Sequence, residues 1–112
     1  MERRQQPRES VRCQVYYICV SADGRESAQD IGMARDISPE GMLLETTAPI
    51  NTSEIRLIAA APDKERVETN GTIIYSMPAG ENRFNTGIFF GSGAKDAAHF
   101  VEQILLASQK SG

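Results

Sequence analysis

The sequence predicts a mainly β domain in which six antiparallel strands close into a barrel and one α-helix follows. Segments rich in β-branched and aromatic residues recur about every ten residues, separated by Gly, Pro, Asn and Asp turn signals. Closing such a sheet into a barrel would remove its exposed edge strands. After the Gly-Ser-Gly break at residues 91–93, the apolar period changes from strand to helix spacing.

The first strand is predicted over residues 11–20, with Val15 and Tyr17 on one face and Tyr16 and Ile18 on the other. A Ser-Ala-Asp-Gly turn at residues 21–24 ends this strand. The same pattern predicts the remaining strands at about 29–35, 42–45, 55–60, 67–77 and 83–90. In the fifth of these, alternate residues from Val67 to Tyr75 are expected to share one face.

The C-terminal segment predicts an amphipathic helix over about residues 93–110 that packs on the barrel. The residues at helical spacing are Ala94, Ala97, Ala98, Val101, Ile104, Leu105 and Ser108. Residues 1–10 are expected to form a flexible arm that bears arginines, and residues 11–112 the barrel with its helix. Together they would make a single domain, since 112 residues is a common size for one domain.

Composition narrows the class of protein. Hydrophobic residues make up 40% and charged residues 24%, as in a soluble globular chain. No run approaches the roughly 18 apolar residues of a membrane span, and the charged first residues do not resemble a secretory signal, so the cytoplasm is the expected compartment. Cys13 and Cys19 lie on one predicted strand about 20 Å apart, too far for a disulfide. The net charge of −3 does not favour nucleic-acid binding.

No residue pattern points to catalysis, a metal or a cofactor, so we expect a protein that is not an enzyme. His99 is the single histidine and falls within the predicted helix, where we expect a surface or boundary residue rather than a catalytic base. Two thiols and one histidine are too few for a structural zinc site. The Ser and Cys residues lack the signature of an activated nucleophile, and no Gly-rich phosphate loop precedes a helix.

Two short clusters have the side chains to bind a ligand. The first is Arg-Arg-Gln-Gln-Pro-Arg at residues 3–8, and the second is Asp-Ile-Ser-Pro-Glu-Gly at residues 36–41. Taken alone, the first describes an ordinary solvated terminus. The second alone describes an ordinary β-turn, because Asp and Ser bond turn backbones, Pro fixes φ and Gly accepts positive φ.

Together the two clusters resemble the PilZ domain of bacteria. An Arg-x-x-x-Arg element falls at Arg4 and Arg8, before the first strand, and about thirty residues later an Asp-x-Ser-x-x-Gly turn supplies Asp36, Ser38 and Gly41. The segments that look like strands of that family are 8–17, 71–75 and 86–90. The resemblance covers about residues 2–106.

The resemblance implies a PilZ-type barrel that binds the second messenger cyclic di-GMP as a ligand rather than a cofactor. It also implies a signal-transduction role, in which the domain changes conformation and acts on an unidentified protein partner. The net charge and the lack of a long apolar run, for their part, lead us to expect no nucleic-acid partner and no membrane insertion. The ligand-binding residues it implies are Arg3, Arg4, Arg8, Asp36, Ser38 and Gly41. Family members bind one ligand molecule or a stacked, intercalated pair, and Arg3, a basic residue before the first motif arginine, favours the pair.

The chemistry of these side chains suits that ligand. Arginine can fork onto phosphate oxygens or the O6/N7 edge of guanine, and it can stack on a base. Asp36 can accept hydrogen bonds from the N1–H and amino group of guanine, Ser38 could bond a base or a phosphate, and Gly41 would permit the turn geometry. Pro7 argues against one regular helix through the two motif arginines. Gly87 has two interpretations, a close approach of backbone to ligand or packing within the barrel.

Two other functions stay open. The first is a PilZ-like adaptor that binds only protein partners and no nucleotide. The second is a nucleic-acid-binding barrel, which would need a broad basic face with stacking aromatic residues. The net charge of −3, with three Tyr, four Phe and no Trp, disfavours that function.

Overall fold

The computed structural model describes residues 8–60, 66–91 and 95–111. The strands are β1 (Glu9–Val20), β2 (Glu26–Ser38), β3 (Gly41–Thr46), β4 (Glu54–Ala60), β5 (Arg66–Pro78) and β6 (Phe84–Phe89), and the helix is α1 (Lys95–Ser111). All neighbouring strands pair antiparallel and close into a barrel in the order β1-β2-β3-β6-β5-β4. The predicted fold class, an antiparallel six-stranded barrel with a C-terminal helix, is confirmed.

Alternation along β1 places one side of the strand in the core, because successive side chains of a strand point to opposite faces. Val15 and Tyr17 are buried, with 0% and 3% of their surface exposed, whereas Tyr16 is 52% exposed on the outside. Both faces of β1 therefore agree with the prediction. Cys13 and Cys19 are free thiols on this strand.

Helix α1 buries one stripe of side chains against β5 and β1. Ala97, Phe100, Val101 and Ile104 are buried, which is the i, i+3, i+4, i+7 spacing of an amphipathic helix. The ring of Phe100 packs edge-to-face on Phe90, with centroids 6.1 Å apart.

In the predicted stripe of α1, Ala94 lies outside the described residues, and Leu105 and Ser108 are half-buried. The observed stripe otherwise differs from the predicted one at two positions. Ala98 is exposed, because it lies about 110° around the helix axis from the centre of the buried stripe. Phe100 is fully buried and belongs to the stripe, although the predicted face does not include it. The backbone N–H of Arg12 donates to Ser108 Oγ at 3.1 Å, which ties the last turns of α1 to β1.

A β-bulge in β5 overturns one expectation. Val67 and Thr69 point inward as predicted, but Tyr75 is 43% exposed on the outside of the barrel. Ile73 pairs with Ile88 of β6 while Tyr75 pairs with Gly87, so Ile74 is one extra residue in β5. An inserted residue reverses the inward–outward alternation after it, which moves Tyr75 to the outer surface.

Strand β2 is longer than predicted at both ends. It continues through Asp36 to Ser38, whereas the sequence predicted that the strand ends at about residue 35 and that Ser38 begins the turn. A second bulge lies between Ala34 and Asp36 in the pairing with β3, and it places the Asp36 side chain on the outside of the barrel. Within the described ranges, no helix is long and apolar enough to cross a membrane.

Candidate functional site

The residue before β1 meets the end of β2 on the outside of the barrel. Ser10 of β1 pairs with Asp36 of β2, which brings the side chain of Arg8 over the Asp36 carboxylate. Arg8 Nη2 lies 2.8 Å from Asp36 Oδ1, and Arg8 Nε donates to the same oxygen at 3.1 Å. The two side chains are 54% and 29% exposed, so both groups are accessible to a ligand.

Arg3 and Arg4 lie outside the described residues. Their part in a ligand site stays a prediction from the sequence. Of the arginines in the first cluster, Arg8 is the one whose position relative to residues 36–41 the structure describes.

Ser38 is held inside the turn that joins β2 to β3. It is 6% exposed, and its pairing with Gly41 closes the hairpin. Ser38 Oγ donates to the Gly41 carbonyl and accepts from the Glu40 N–H, both at 3.4 Å. In this arrangement the hydroxyl shapes the loop that follows Asp36.

Gly41 is required for a close approach between strands. A Cβ at this position would collide with the carbonyl oxygen of Ile88 on β6. The described glycines with positive φ are Gly24, Gly80 and Gly91, so the turn geometry expected at Gly41 is not a positive φ. The missing side chain instead lets β3 lie close against β6.

Cross-strand pairing places four outward-facing residues in one line. Asp36 pairs with Leu43, Leu43 with Gly87, and Gly87 with Tyr75. We call these four residues the outer row. Because neighbouring strands are about 4.8 Å apart, the row extends for about 14 Å across β2, β3, β6 and β5.

The outer row changes character along its length. One end carries the Arg8–Asp36 ion pair, and the other carries the exposed ring of Tyr75. A Cβ on Gly87 would lie 2.5 Å from Tyr75 Cε2, so the ring packs directly over this glycine. Gly87 therefore packs on the outer surface, and the predicted packing inside the barrel is wrong, whereas the approach of backbone to a ligand stays a prediction. A charged end and an aromatic end suit a ligand that has both polar edges and planar rings.

Leu43 and Tyr75 belong to this surface but are not among the binding residues predicted from the sequence. The sequence has no signal for the bulge at Ile74 that turns Tyr75 outward. Leu43 is one residue of a short strand, and only its pairing partners place it beside Asp36.

A second set of charges lies next to the outer row. Glu45 accepts from Arg35 Nη1 at Oε1, 2.5 Å away, and from Arg83 Nη1 at Oε2, 3.2 Å away. The hydrogen bond from Arg35 is the main reason that the pKa of Glu45 lies below its ordinary value. The carboxylate thus stays ionised and joins β2, β3 and the residue that precedes β6.

No protein-family model and no curated protein sequence matches the chain. Solved structures do match. The Bacillus subtilis inhibitor of motility MotI/DgrA has a TM-score of 0.67 at 15% identity, over 99% of this chain and 53% of that one. The PilZ domain of Escherichia coli YcgR, solved with cyclic di-GMP, has a TM-score of 0.61 at 13% identity, over 98% and 94%. The K. pneumonia MrkH–cyclic di-GMP complex has a TM-score of 0.63 at 16% identity, over 100% and 57%.

These likenesses establish the fold. The chain spans almost all of the isolated YcgR domain but about half the length of the MotI/DgrA and MrkH chains. It therefore has a PilZ-type fold, as the resemblance in sequence predicted.

Proposed function

We propose that this protein is a cyclic di-GMP receptor that binds its ligand on the outer row. The observation that carries the proposal is the contact between Arg8 and Asp36. It joins the two sequence clusters at one exposed place on a fold that the YcgR PilZ domain and MrkH share, and both of those were solved with cyclic di-GMP.

Asp36 would supply selectivity for guanine. A carboxylate accepts hydrogen bonds, and the N1–H and amino group of guanine are both donors. Both contacts from Arg8 go to Oδ1 of Asp36. The other carboxylate oxygen, Oδ2, would then accept hydrogen bonds from guanine. Adenine has an acceptor at N1, which would face the carboxylate unfavourably.

Arg8 would supply charge for the ligand phosphates. A guanidinium group carries five N–H donors in a fixed fork that matches phosphate oxygens. Its contact with Asp36 uses Nε and Nη2, so the same side chain has a further nitrogen for a ligand. We propose that Arg3 and Arg4 add to this charge.

The rest of the outer row would hold the planar part of the ligand. Leu43 is half-buried and provides an apolar floor, while Tyr75 presents its exposed ring at the far end. Base–aromatic stacking contributes about 1–3 kcal/mol per base in proteins that bind nucleotides. Ser38 and Gly41 would act through the shape of the hairpin, because the Ser38 hydroxyl bonds within the turn.

Signalling would follow from a change in this surface. We propose that the bound ligand draws residues 1–7 onto the outer row and alters the face offered to a downstream protein in the cytoplasm. A ligand can shift such an equilibrium only as far as its affinities for the two states differ. The role is that of a receptor, with no chemical step.

Isothermal titration calorimetry of the purified protein with cyclic di-GMP tests the proposal. We expect saturable binding at micromolar or lower concentration, with much weaker binding of GMP and cyclic di-AMP. GMP controls for a single guanine and phosphate, and cyclic di-AMP controls for the guanine edge. No heat and no thermal shift with cyclic di-GMP would refute receptor function and favour an adaptor that binds only protein.

A further inference from the structure

An open groove of about 310 Å³ adjoins the outer row, and arginines dominate its charged lining. Arg12, Arg35 and Arg83 line it, against the single carboxylate of Glu45. The chain as a whole carries a net charge of −3. With three guanidinium groups and one carboxylate, the lining of this groove is positively charged although the whole chain is negatively charged.

The groove lies next to the outer row on the outside of the barrel. Glu45 follows Leu43 by two residues on β3, which is about 7 Å along a strand and on the same face. Arg35 directly precedes Asp36 at the bulge in β2. A ligand that lies on the outer row therefore has these arginines beside it.

The two arginines that contact Glu45 retain a geometry that suits a phosphate. Arg35 and Arg83 each donate to Glu45 through Nη1, and the contacts go to different carboxylate oxygens. Glu45 thus holds the guanidinium groups on either side of itself while their other N–H groups can face the groove. The Arg35 and Arg83 side chains are 44% and 57% exposed.

We propose that Arg35 and Arg83 form a second phosphate-binding pair, which takes a phosphate group of cyclic di-GMP in the groove beside the outer row. The inference rests on the proposed function, since it names further residues of the same site. The phosphate belongs either to the molecule that Asp36 holds or to a second molecule bound beside it. Glu45 keeps the pair in position when the groove is empty.

Calorimetric titration of the double variant Arg35→Gln, Arg83→Gln tests this pair. We expect its affinity for cyclic di-GMP to fall by about a hundredfold or more, because two charge-assisted contacts are lost. If the phosphate belongs to a second molecule, the number of ligands bound falls from two to one. If it belongs to the molecule that Asp36 holds, the stoichiometry is the same as in the wild type and the affinity alone falls.

Arg56→Gln is the matched control. Arg56 makes a comparable exposed ion pair with Glu26 at 2.7 Å, but it lies on β4, which does not pair with β3 or β6. We expect this variant to bind like the wild type. Thermal unfolding of each variant, expected within a few degrees of the wild type, shows that the barrel is intact.

The outcomes separate this inference from the function on which it rests. Wild-type protein that fails to bind cyclic di-GMP overturns both. Wild-type protein that binds, together with a double variant of unchanged affinity and stoichiometry, overturns the second phosphate pair and leaves the receptor function in place. An equal loss of affinity in the Arg56→Gln control would also overturn it, because the effect would then be one of general charge.

Discussion

Replacement of Arg8 by alanine is expected to weaken cyclic di-GMP binding far more than it destabilises the fold. The Arg8 side chain is 54% exposed and its partner Asp36 29% exposed. Ion pairs in such exposed positions contribute about 0–1 kcal/mol to stability, because water screens them. Hydrogen bonds from a charged donor to a ligand contribute about 1.5–3 kcal/mol, which is roughly ten- to a hundredfold in the dissociation constant.

Calorimetry gives the dissociation constant, and urea denaturation gives the free energy of unfolding of the same preparation. Arg56→Ala is the control, since it removes an exposed ion pair with Glu26 on another part of the barrel. We expect both variants to lose less than about 1 kcal/mol of stability, and only Arg8→Ala to lose affinity. Wild-type affinity in Arg8→Ala would refute the role of the ion pair in binding. A loss of affinity that tracks unfolding would refute the separation of the two effects.

Three further predictions concern the barrel itself. Gly41→Ala should destabilise the protein by about 1–3 kcal/mol, because its methyl group would collide with the Ile88 carbonyl, and an unchanged melting temperature would contradict this. Phe100→Ala should cost about 3–5 kcal/mol in urea denaturation while its exposed neighbour variant His99→Ala stays within about 0.5 kcal/mol, and equal effects would contradict the packing of α1. Burial, with smaller effects of nearby negative charges, raises the pKa of Tyr17 to about 12, so stability should fall as pH rises from 10 toward 12. Tyr17→Phe should flatten that fall in a melting-temperature series, and a parallel fall in both proteins would contradict it.

The fold could be predicted because its signals are local. Alternation places Val15 and Tyr17 in the core, and this pattern depends only on the geometry of one strand. The helix was predicted from 3.6-residue spacing, and Ala97, Val101 and Ile104 are buried accordingly. Turn residues between the strands then indicated that the sheet is antiparallel.

The prediction was wrong where pairing between strands decides the outcome. Tyr75 points outward because one extra residue, Ile74, interrupts the ladder with β6, and nothing in the local pattern marks that bulge. The role of Gly41 depends on how closely the Ile88 carbonyl approaches from another strand. Both features require knowledge of the register, which one sequence does not contain.

The candidate site divides in the same way. The two sequence clusters predicted Arg8 and Asp36 as binding residues, and the two side chains are in contact in the structure. Leu43 became a candidate only through its pairing with Asp36. Arg35 and Arg83 are distant in sequence, and they come together only through Glu45.

NMR spectroscopy can map where cyclic di-GMP binds on the barrel. ¹⁵N-labelled protein would be titrated with cyclic di-GMP and the amide shifts followed residue by residue. We predict the largest shifts at Asp36, Leu43, Gly87 and Tyr75, and little change at Ile58 of β4, which does not pair with β3 or β6. Shifts centred on Ile58, or no shifts at saturating ligand, would contradict a cyclic di-GMP site on the outer row.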